Sequence, residues 1–468
     1  MKKYISLFLA AVIVLPLFAQ EKGKDSTEQK ETTSFWDETG QDKELVVRHG
    51  IPAYDGMTVS YRRDGKSLLD VELQAPVVVT VASKPEGWGP CQFPTIYRSS
   101  EGLLAATWHQ VLDHASGYGK EPAFMLSSDN GKTWNSSSQP VPPYGAGALF
   151  LPETGEHISI RTPTALKVSE LQLPQPVGTH KDPPSRNLTF YRLNELPTAL
   201  QGVFLNRWDR NGVRSAIHAG LDDPKAVRYS DVRSAIPGLE DPTVKYSDDP
   251  LFPVVWWGDM KLLPDNSIVA GIYPAIYELE TGGVDRSGIS FYKSVDNGMN
   301  WKISGKIPNR LIDPNLTRPW LFNVSEPAFE ILPDGTFLCV MRVEGSPMYL
   351  SRSSDQGMTW SHPVPFTPNG VLPRLLQLDN GVLVLTSGRP GVQLRFSLDG
   401  KGEKWTDPFD MLPFMNEKGD VSCGYTGILA TGPDRFLMIY SDFKYPNQDN
   451  ELRKAIKIRE IIVTKKHK

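Results

Sequence analysis

The chain has 468 residues and a formal net charge of −4, so it carries no basic field of the kind that attracts nucleic acid. It contains 39 glycines, 39 prolines and 11 tryptophans, a composition typical of many short strands joined by tight turns and packed with aromatic rings. Its three cysteines are too few and too uneven for a disulfide framework, and we expect free thiols.

Residues 1–20 predict a secretory signal peptide, because a lysine pair precedes an apolar run from Ile5 to Leu17 and small residues follow it. The run is shorter than the ~20 residues that a membrane-spanning helix needs, so a membrane anchor is the weaker alternative. We therefore expect an exported protein, periplasmic or extracellular, with no membrane span after signal removal. Residues 21–44 are charged and poor in apolar side chains, and they predict a flexible leader.

From residue 45 to 463 we predict one domain, in which an apolar strand enters a tight polar turn and leaves it again six times. Two extended runs around a short Gly or Asp turn indicate a hairpin, so six hairpins predict six blades. The turns lie at 100–102, 152–155, 264–266, 333–335, 379–381 and 432–434. A seventh blade would have to lie at about 171–249, an irregular segment that we interpret as a diverged blade with long loops. A small inserted module is the alternative.

A second repeat is the phrase Ser-x-Asp-x-Gly-x-Thr-Trp. Asp-Asn-Gly supplies a turn with a glycine able to take positive φ, the Ser, Thr and Asp side chains can bind turn backbone, and the Trp offers an apolar plate. The phrase occurs at Ser127–Trp134, at Ser294–Trp301 with Asn for Thr, at Ser353–Trp360, and in frayed form at Ser397–Trp405.

These phrases resemble the Asp-boxes, or BNR repeats, of the sialidase (neuraminidase) superfamily, and the chain is similar to bacterial exo-sialidases from about residue 85 to 442. The resemblance implies an all-β fold, a six-bladed β-propeller with Asp-box hairpins. In that family the boxes lie on the face away from the active site, so they indicate the fold and not the activity.

The strand rise places the functional face. Strands advance ~3.3 Å per residue, so residues about seven or eight positions from a hairpin turn, on either side, return to the opposite rim. This predicts a polar pocket at the mouth of the propeller. The residues placed there are Gln92, His109, Trp257–Asp259, Tyr273, Glu326, Arg342, Arg389, Tyr425 and Asp442.

The resemblance implies roles for four of these residues. Glu326, in Ser-Glu-Pro, and the Arg342 that follows it are similar to the family's catalytic glutamate and a carboxylate-binding arginine. Tyr425 matches the nucleophilic tyrosine, and Arg389 matches another arginine of the substrate-binding triad. A phenol of pKa ~10 is a poor nucleophile and needs a base, a role that Glu326 would fill. Each residue alone also fits an ordinary rim or core position.

The first blade departs from the family pattern. Gln92 replaces a carboxylate-binding arginine, and an amide donates hydrogen bonds without charge. Asp113 is the candidate acid/base, although its spacing is loose. His109 lies where a charged residue is common, and His114 follows Asp113. These residues suggest a first blade adapted to another substrate or another acid.

The predicted function is that of an exported exo-glycosidase of sialidase type that hydrolyses terminal α-linked sialic acid or a related acidic sugar. One alternative is a propeller glycosidase or lyase acting on a uronic-acid-containing or neutral glycan, with His109 or His114 as the acid/base. The other is a glycan-binding propeller without catalysis. No metal or cofactor is expected, because no zinc spacing, Walker loop or calcium loop is present. The expected partner is a glycan, and the expected state is a monomer.

Overall fold

A computed structural model shows an all-β chain. It describes residues 37–39, 56–63, 66–113, 120–145, 147–160, 166–167, 171–176, 178–182, 186–192, 195–197, 203–222, 227–233, 250–251, 259–272, 276–278, 283–285, 289–307, 324–343, 347–367, 370–389, 391–412 and 421–466. The predicted signal peptide, His114, Trp257 and Tyr273 lie outside the described residues.

All 33 secondary-structure elements of the described part are strands. The first seven are β1 (Asp37–Thr39), β2 (Met57–Arg63), β3 (Lys66–Leu73), β4 (Val77–Val81), β5 (Gln92–Arg98), β6 (Leu104–His109) and β7 (Ala123–Ser127). They are followed by β8 (Leu149–Leu151), β9 (Glu156–Ile160), β10 (Leu166–Lys167), β11 (Gly178–Asp182), β12 (Arg186–Arg192), β13 (Val203–Trp208), β14 (Arg214–Asp222), β15 (Val227–Arg233) and β16 (Pro250–Leu251).

The second half of the chain continues in the same way. Its first strands are β17 (Met260–Leu262), β18 (Ile268–Ile272), β19 (Ile276–Glu278), β20 (Gly283–Asp285), β21 (Ile289–Ser294), β22 (Asn300–Ile307), β23 (Val324–Ile331), β24 (Phe337–Val343), β25 (Met348–Ser353) and β26 (Val364–Thr367). The last are β27 (Val371–Gln377), β28 (Leu383–Gly388), β29 (Val392–Ser397), β30 (Phe409–Leu412), β31 (Thr426–Gly432), β32 (Arg435–Pro446) and β33 (Leu452–Lys465).

Within these described strands, six antiparallel blades form a β-propeller, as the sequence predicts. The blades are β5-β6-β7, β8-β9-β13-β14, β17-β18-β21-β22, β23-β24-β25-β26, β27-β28-β29-β30 and β31-β32-β33-β3. Strand β3 pairs with β33, so the sixth blade is completed by a strand from the other end of the chain and the ring closes. The predicted irregular segment supplies β13 and β14 to the second blade, whereas β11, β12 and β15 form a sheet of their own.

The repeated Ser-x-Asp loops are held by their own side chains. Ser127 Oγ accepts from Gly131 N at 2.8 Å and donates to Asp129 Oδ1 at 2.7 Å. Asp129 Oδ1 accepts from Thr133 N at 2.9 Å, and Trp134 Nε1 donates to Gly131 O at 3.1 Å. The same four bonds recur in loops 294–301 and 353–360. Each of these loops is therefore stabilised by bonds among its own residues.

The strand register shows which rim the loops occupy. Phe337, just after the turn of the fourth blade, pairs with Ser353, which begins a repeated loop. At the other end of the same hairpin, Ser325 pairs with Arg342. The repeated loop therefore lies at the hairpin-turn rim, opposite Glu326 and Arg342.

Aromatic side chains fill the space between blades. Trp360 of the fourth blade stacks on Phe291 of the third, with ring centroids 4.4 Å apart, and Phe329 meets Phe291 edge-on at 5.6 Å. All three cysteines are free thiols, and two of them are buried. In the described part, no helix is long and apolar enough to cross a membrane.

Candidate active site

Three blades have the same backbone irregularity at the mouth of the propeller. Near the start of the first strand of each lies a residue before proline that has positive φ: Phe93 at 52°, Glu326 at 48° and Leu372 at 39°. The strand register shifts at each of these points. Non-glycine residues at positive φ cost about 1–3 kcal/mol and are concentrated at functional sites. This repeated bulge turns residues of three blades away from the regular pleat, at the predicted rim.

Glu326 is the centre of the site. Its Oε1 accepts hydrogen bonds from the hydroxyl of Tyr425 and from Arg342 Nη1, the latter at 2.8 Å. Its Oε2 accepts from the backbone N–H of Leu372 at 2.7 Å. Only 9% of Glu326 is exposed, so three donors from three blades fix the orientation of a nearly buried carboxylate.

Tyr425 and Arg389 meet above this carboxylate. The guanidinium carbon of Arg389 lies 5.3 Å from the ring centroid of Tyr425 and 4.9 Å from that of Trp88. Arg389 Nε donates to the backbone oxygen of Cys423 at 2.7 Å. Two aromatic rings and one backbone oxygen thus fix the guanidinium, and no hydrogen bond of its two Nη groups is found within the described part, so that they can serve as a preorganised fork for an anion.

Two glycines allow this approach. Gly388 and Gly424 precede Arg389 and Tyr425 on neighbouring blades, and a Cβ on Gly388 would overlap the Cα and the carbonyl oxygen of Gly424. Gly424 has a φ of 77°, in the left-handed region that favours glycine. The backbones of Gly388 and Gly424 therefore set the spacing between Arg389 and Tyr425.

Gln92 and His109 lie on the first-blade side of the site. Gln92 is fully buried and accepts from Gly89 N at 3.0 Å through Oε1. Gln92 pairs with His109 across β5 and β6. Within the described part of the chain, Gln92 Nε2 and His109 Nδ1 have no hydrogen-bond partner. Burial lowers the pKa of His109, and the charge of Asp113 opposes that shift only in part.

Asp113 is bound to a tryptophan. Its Oδ2 accepts from Trp88 Nε1 at 3.2 Å, and its backbone N–H donates to Trp88 O, also at 3.2 Å. The ring of Phe93 contacts both Trp88 and Tyr425, the candidate nucleophile. Its centroid lies 5.1 Å from that of Tyr425 and 6.1 Å from that of Trp88.

A second charged layer joins three blades through β17, β23 and β27. Arg374 Nη1 donates to Asp259 Oδ1 at 3.0 Å, and Asp259 Oδ2 accepts from Phe329 N at 3.3 Å. Lys261 pairs with Glu330 at 3.0 Å; burial acts to lower the pKa of Lys261, but the charges of Glu330 and Asp259 outweigh it and raise that pKa.

Asp442, which was predicted at the mouth, pairs with the buried Lys457 at 3.0 Å.

The structure therefore brings Glu326, Arg342, Arg389 and Tyr425 together, with Gln92, His109 and Asp113 on the first-blade side. Sequence reasoning missed Leu372, whose N–H binds Glu326, and the aromatic residues Trp88 and Phe93. A signal for Leu372 was present. The residue-before-proline pattern at the start of a blade occurs a third time in Leu372-Pro373. Trp88 has no such signal.

Comparisons with known proteins report a likeness of fold. No protein-family model and no curated protein matches the sequence. A Dyadobacter fermentans protein of unknown function is 16% identical with a TM-score of 0.51, and the match covers 84% of this chain and 99% of that one. A Penicillium chrysogenum α-L-arabinanase is 17% identical (TM-score 0.42; 82% and 98% covered), and the NanB sialidase of Streptococcus pneumoniae is 14% identical (TM-score 0.44; 83% and 70% covered).

Proposed function

We propose that the protein is an exo-glycosidase of sialidase type that hydrolyses a terminal α-linked sialic acid, or a related acidic sugar, with Tyr425 as nucleophile and Glu326 as its base. The observation that carries the proposal is the hydrogen bond from the Tyr425 hydroxyl to Glu326 Oε1 at the mouth of the propeller. A tyrosine hydroxyl bound directly to a nearly buried carboxylate is the pairing that an activated phenol nucleophile requires.

The proton transfer follows from this pairing. As the Tyr425 oxygen attacks the anomeric carbon, its proton passes to Glu326 Oε1, and the bond to the leaving oxygen breaks as Asp113 donates its proton to that oxygen. The nucleophile is neutral before attack, so it does not repel an anionic sugar. Water then attacks the anomeric carbon of the glycosyl-tyrosine and gives one proton to Asp113, while Glu326 returns its proton to the departing phenolate.

The arginines define the substrate charge. The Nη pair of Arg389 suits the two oxygens of a carboxylate, and charge-assisted bidentate hydrogen bonds are stronger than neutral ones. Arg342 keeps a second positive charge next to Glu326 and Tyr425. Asp113 is the proposed acid/base for the leaving oxygen, because its Oδ2 is fixed by Trp88 and its other oxygen makes no hydrogen bond within the described part.

A second candidate function has one observation in its favour. On the first-blade side, Gln92 supplies a neutral amide in place of an arginine, and burial lowers the pKa of His109. A neutral or uronic-acid-containing glycan would not need an arginine at this position, and His109 would be its acid/base.

The test is release of free sialic acid from α2,3- and α2,6-sialyllactose by the mature protein, beside Tyr425→Phe and Glu326→Gln. We expect release by the wild type and a loss of at least about 10³-fold in both variants. The matched control is Tyr349→Phe, a buried tyrosine in β25, which should retain activity. A folded wild type that releases no sialic acid would exclude this substrate. Activity on another glycan that is abolished by His109→Ala, and not by Tyr425→Phe, would establish the second candidate.

A further inference from the structure

Trp88 is exposed and yet firmly held. In the described part of the chain it is one of few large apolar side chains that reach solvent, with 37% of its surface exposed. Its Nε1 and its backbone oxygen both bind Asp113. The rings of Phe93 and Phe443 meet it edge-on at 6.1 and 6.2 Å. An indole held by so many contacts has little conformational freedom left to lose when a ligand binds.

Trp88 also lies close to Tyr425, the candidate nucleophile. The guanidinium carbon of Arg389 lies 4.9 Å from the ring centroid of Trp88 and 5.3 Å from that of Tyr425, so the two centroids are no more than about 10 Å apart. A sugar that places its anomeric carbon at the Tyr425 oxygen has its leaving oxygen at Asp113, the proposed acid/base. The indole binds Asp113 through Nε1 and is therefore next to the unit of the glycan that carries this oxygen.

We propose that Trp88 is the platform for the unit that leaves in the reaction, a neutral pyranose whose apolar C–H face stacks on the indole; this inference rests on the proposed function. Sugar rings present such a face, and an aromatic plate beside a few fixed polar groups is typical of small-molecule sites. Trp88 is then a specificity-determining residue, because it selects substrates that have a sugar ring on the far side of the scissile bond.

Two substrates that differ only in the leaving unit distinguish its contribution from that of the sialic acid. In 3′-sialyllactose the leaving group is lactose, whereas in methyl α-sialoside it is methanol. Trp88 contacts Arg389 and binds Asp113, so Trp88→Ala should lower kcat/KM for both substrates, and loss of the platform should make the fall about tenfold larger for sialyllactose than for the methyl glycoside. Trp88→Phe retains an aromatic ring beside Arg389 and should give a smaller excess loss on sialyllactose. The control is Phe150→Ala, which removes an exposed aromatic residue next to a hairpin turn at the opposite rim.

Equal losses on both substrates in Trp88→Phe, or no loss on sialyllactose in Trp88→Ala, would overturn the proposal. Binding gives a readout that does not depend on turnover. Tyr425→Phe and the Tyr425→Phe, Trp88→Ala double variant are titrated with sialyllactose and with free sialic acid by calorimetry. Weaker binding of sialyllactose alone in the double variant supports the platform.

The failure of the proposed function has a different signature. If the wild type releases no sialic acid, the same two variants are applied to immobilised neutral and uronic-acid glycans. A glycan retained by Tyr425→Phe and lost by the double variant would support Trp88 while the sialidase assignment fails. Equal retention by both variants, or no retention by either, would overturn the Trp88 proposal.

Discussion

Gly388 and Gly424 lie backbone against backbone at the junction of the fifth and sixth blades, with no room for a Cβ between them. Each directly precedes a proposed site residue, Arg389 or Tyr425. The closeness of the two strands therefore sets how the guanidinium lies over the phenol ring. A methyl group here should disturb catalysis as well as stability.

Gly424→Ala provides the first prediction. Its φ of 77° costs an L-residue about 1–2 kcal/mol, and the added Cβ would lie 2.8 Å from Arg389 N. We expect a larger loss of the free energy of unfolding than φ alone gives, and at least a tenfold fall in kcat/KM. Gly102→Ala is the matched control, because Gly102 has a φ of 80° and nothing within 4 Å of its Cβ. Urea unfolding and sialyllactose kinetics measure both effects; similar activity in the two variants would contradict the prediction.

The Arg389 fork gives the second prediction. Hydrogen bonds to charged groups contribute about 1.5–3 kcal/mol, so Arg389→Ala should lower kcat/KM for an acidic sugar roughly 10- to 150-fold. Arg389→Lys keeps the charge but loses the planar fork, and we expect only a small recovery. Arg435→Ala, at the hairpin-turn rim, is the control, because its side chain is 40% exposed and pairs with Asp434. Unchanged kinetics in Arg389→Ala would show that the substrate carries no anion at this position.

His109 gives a prediction about pH. Burial lowers the pKa of His109 in the folded protein, so the unfolded chain takes up the proton first as the pH falls. The wild type should therefore lose stability relative to His109→Gln as the pH falls below about 6.5, the ordinary histidine value. The difference should become constant once the pH is below the folded-state pKa. Urea midpoints of both proteins between about pH 8 and pH 5 measure this linkage.

Comparing the wild type with His109→Gln cancels the contribution of a second histidine to the pH dependence of stability. Burial also lowers the pKa of His157, but that residue is present in both proteins and cancels in the difference. Parallel stability curves would show that His109 does not titrate differently in the folded and unfolded states.

Much of the fold was predictable because its signals are local. The six turns and the repeated loops depend on residues at most eight positions apart, and the bonds from Ser127 and Asp129 in one loop illustrate this. Counting seven or eight residues from each hairpin turn, at ~3.3 Å per residue, then predicted Glu326, Arg342 and Tyr425 at one rim. Asp442 was placed there too, but its carboxylate is paired with Lys457, a partner on another strand that no local pattern indicates.

The amino-acid sequence by itself determined the number of blades, the rim on which the polar residues gather and the residue types available for chemistry. Turn propensity and alternation act over a few residues, so they are readable without the fold. Only the tertiary structure decided that Leu372 binds Glu326, that Arg389 contacts both Trp88 and Tyr425, and that Asp113 holds Trp88. These contacts join residues far apart in the chain, and their geometry depends on how the backbones approach within a blade and between neighbouring blades.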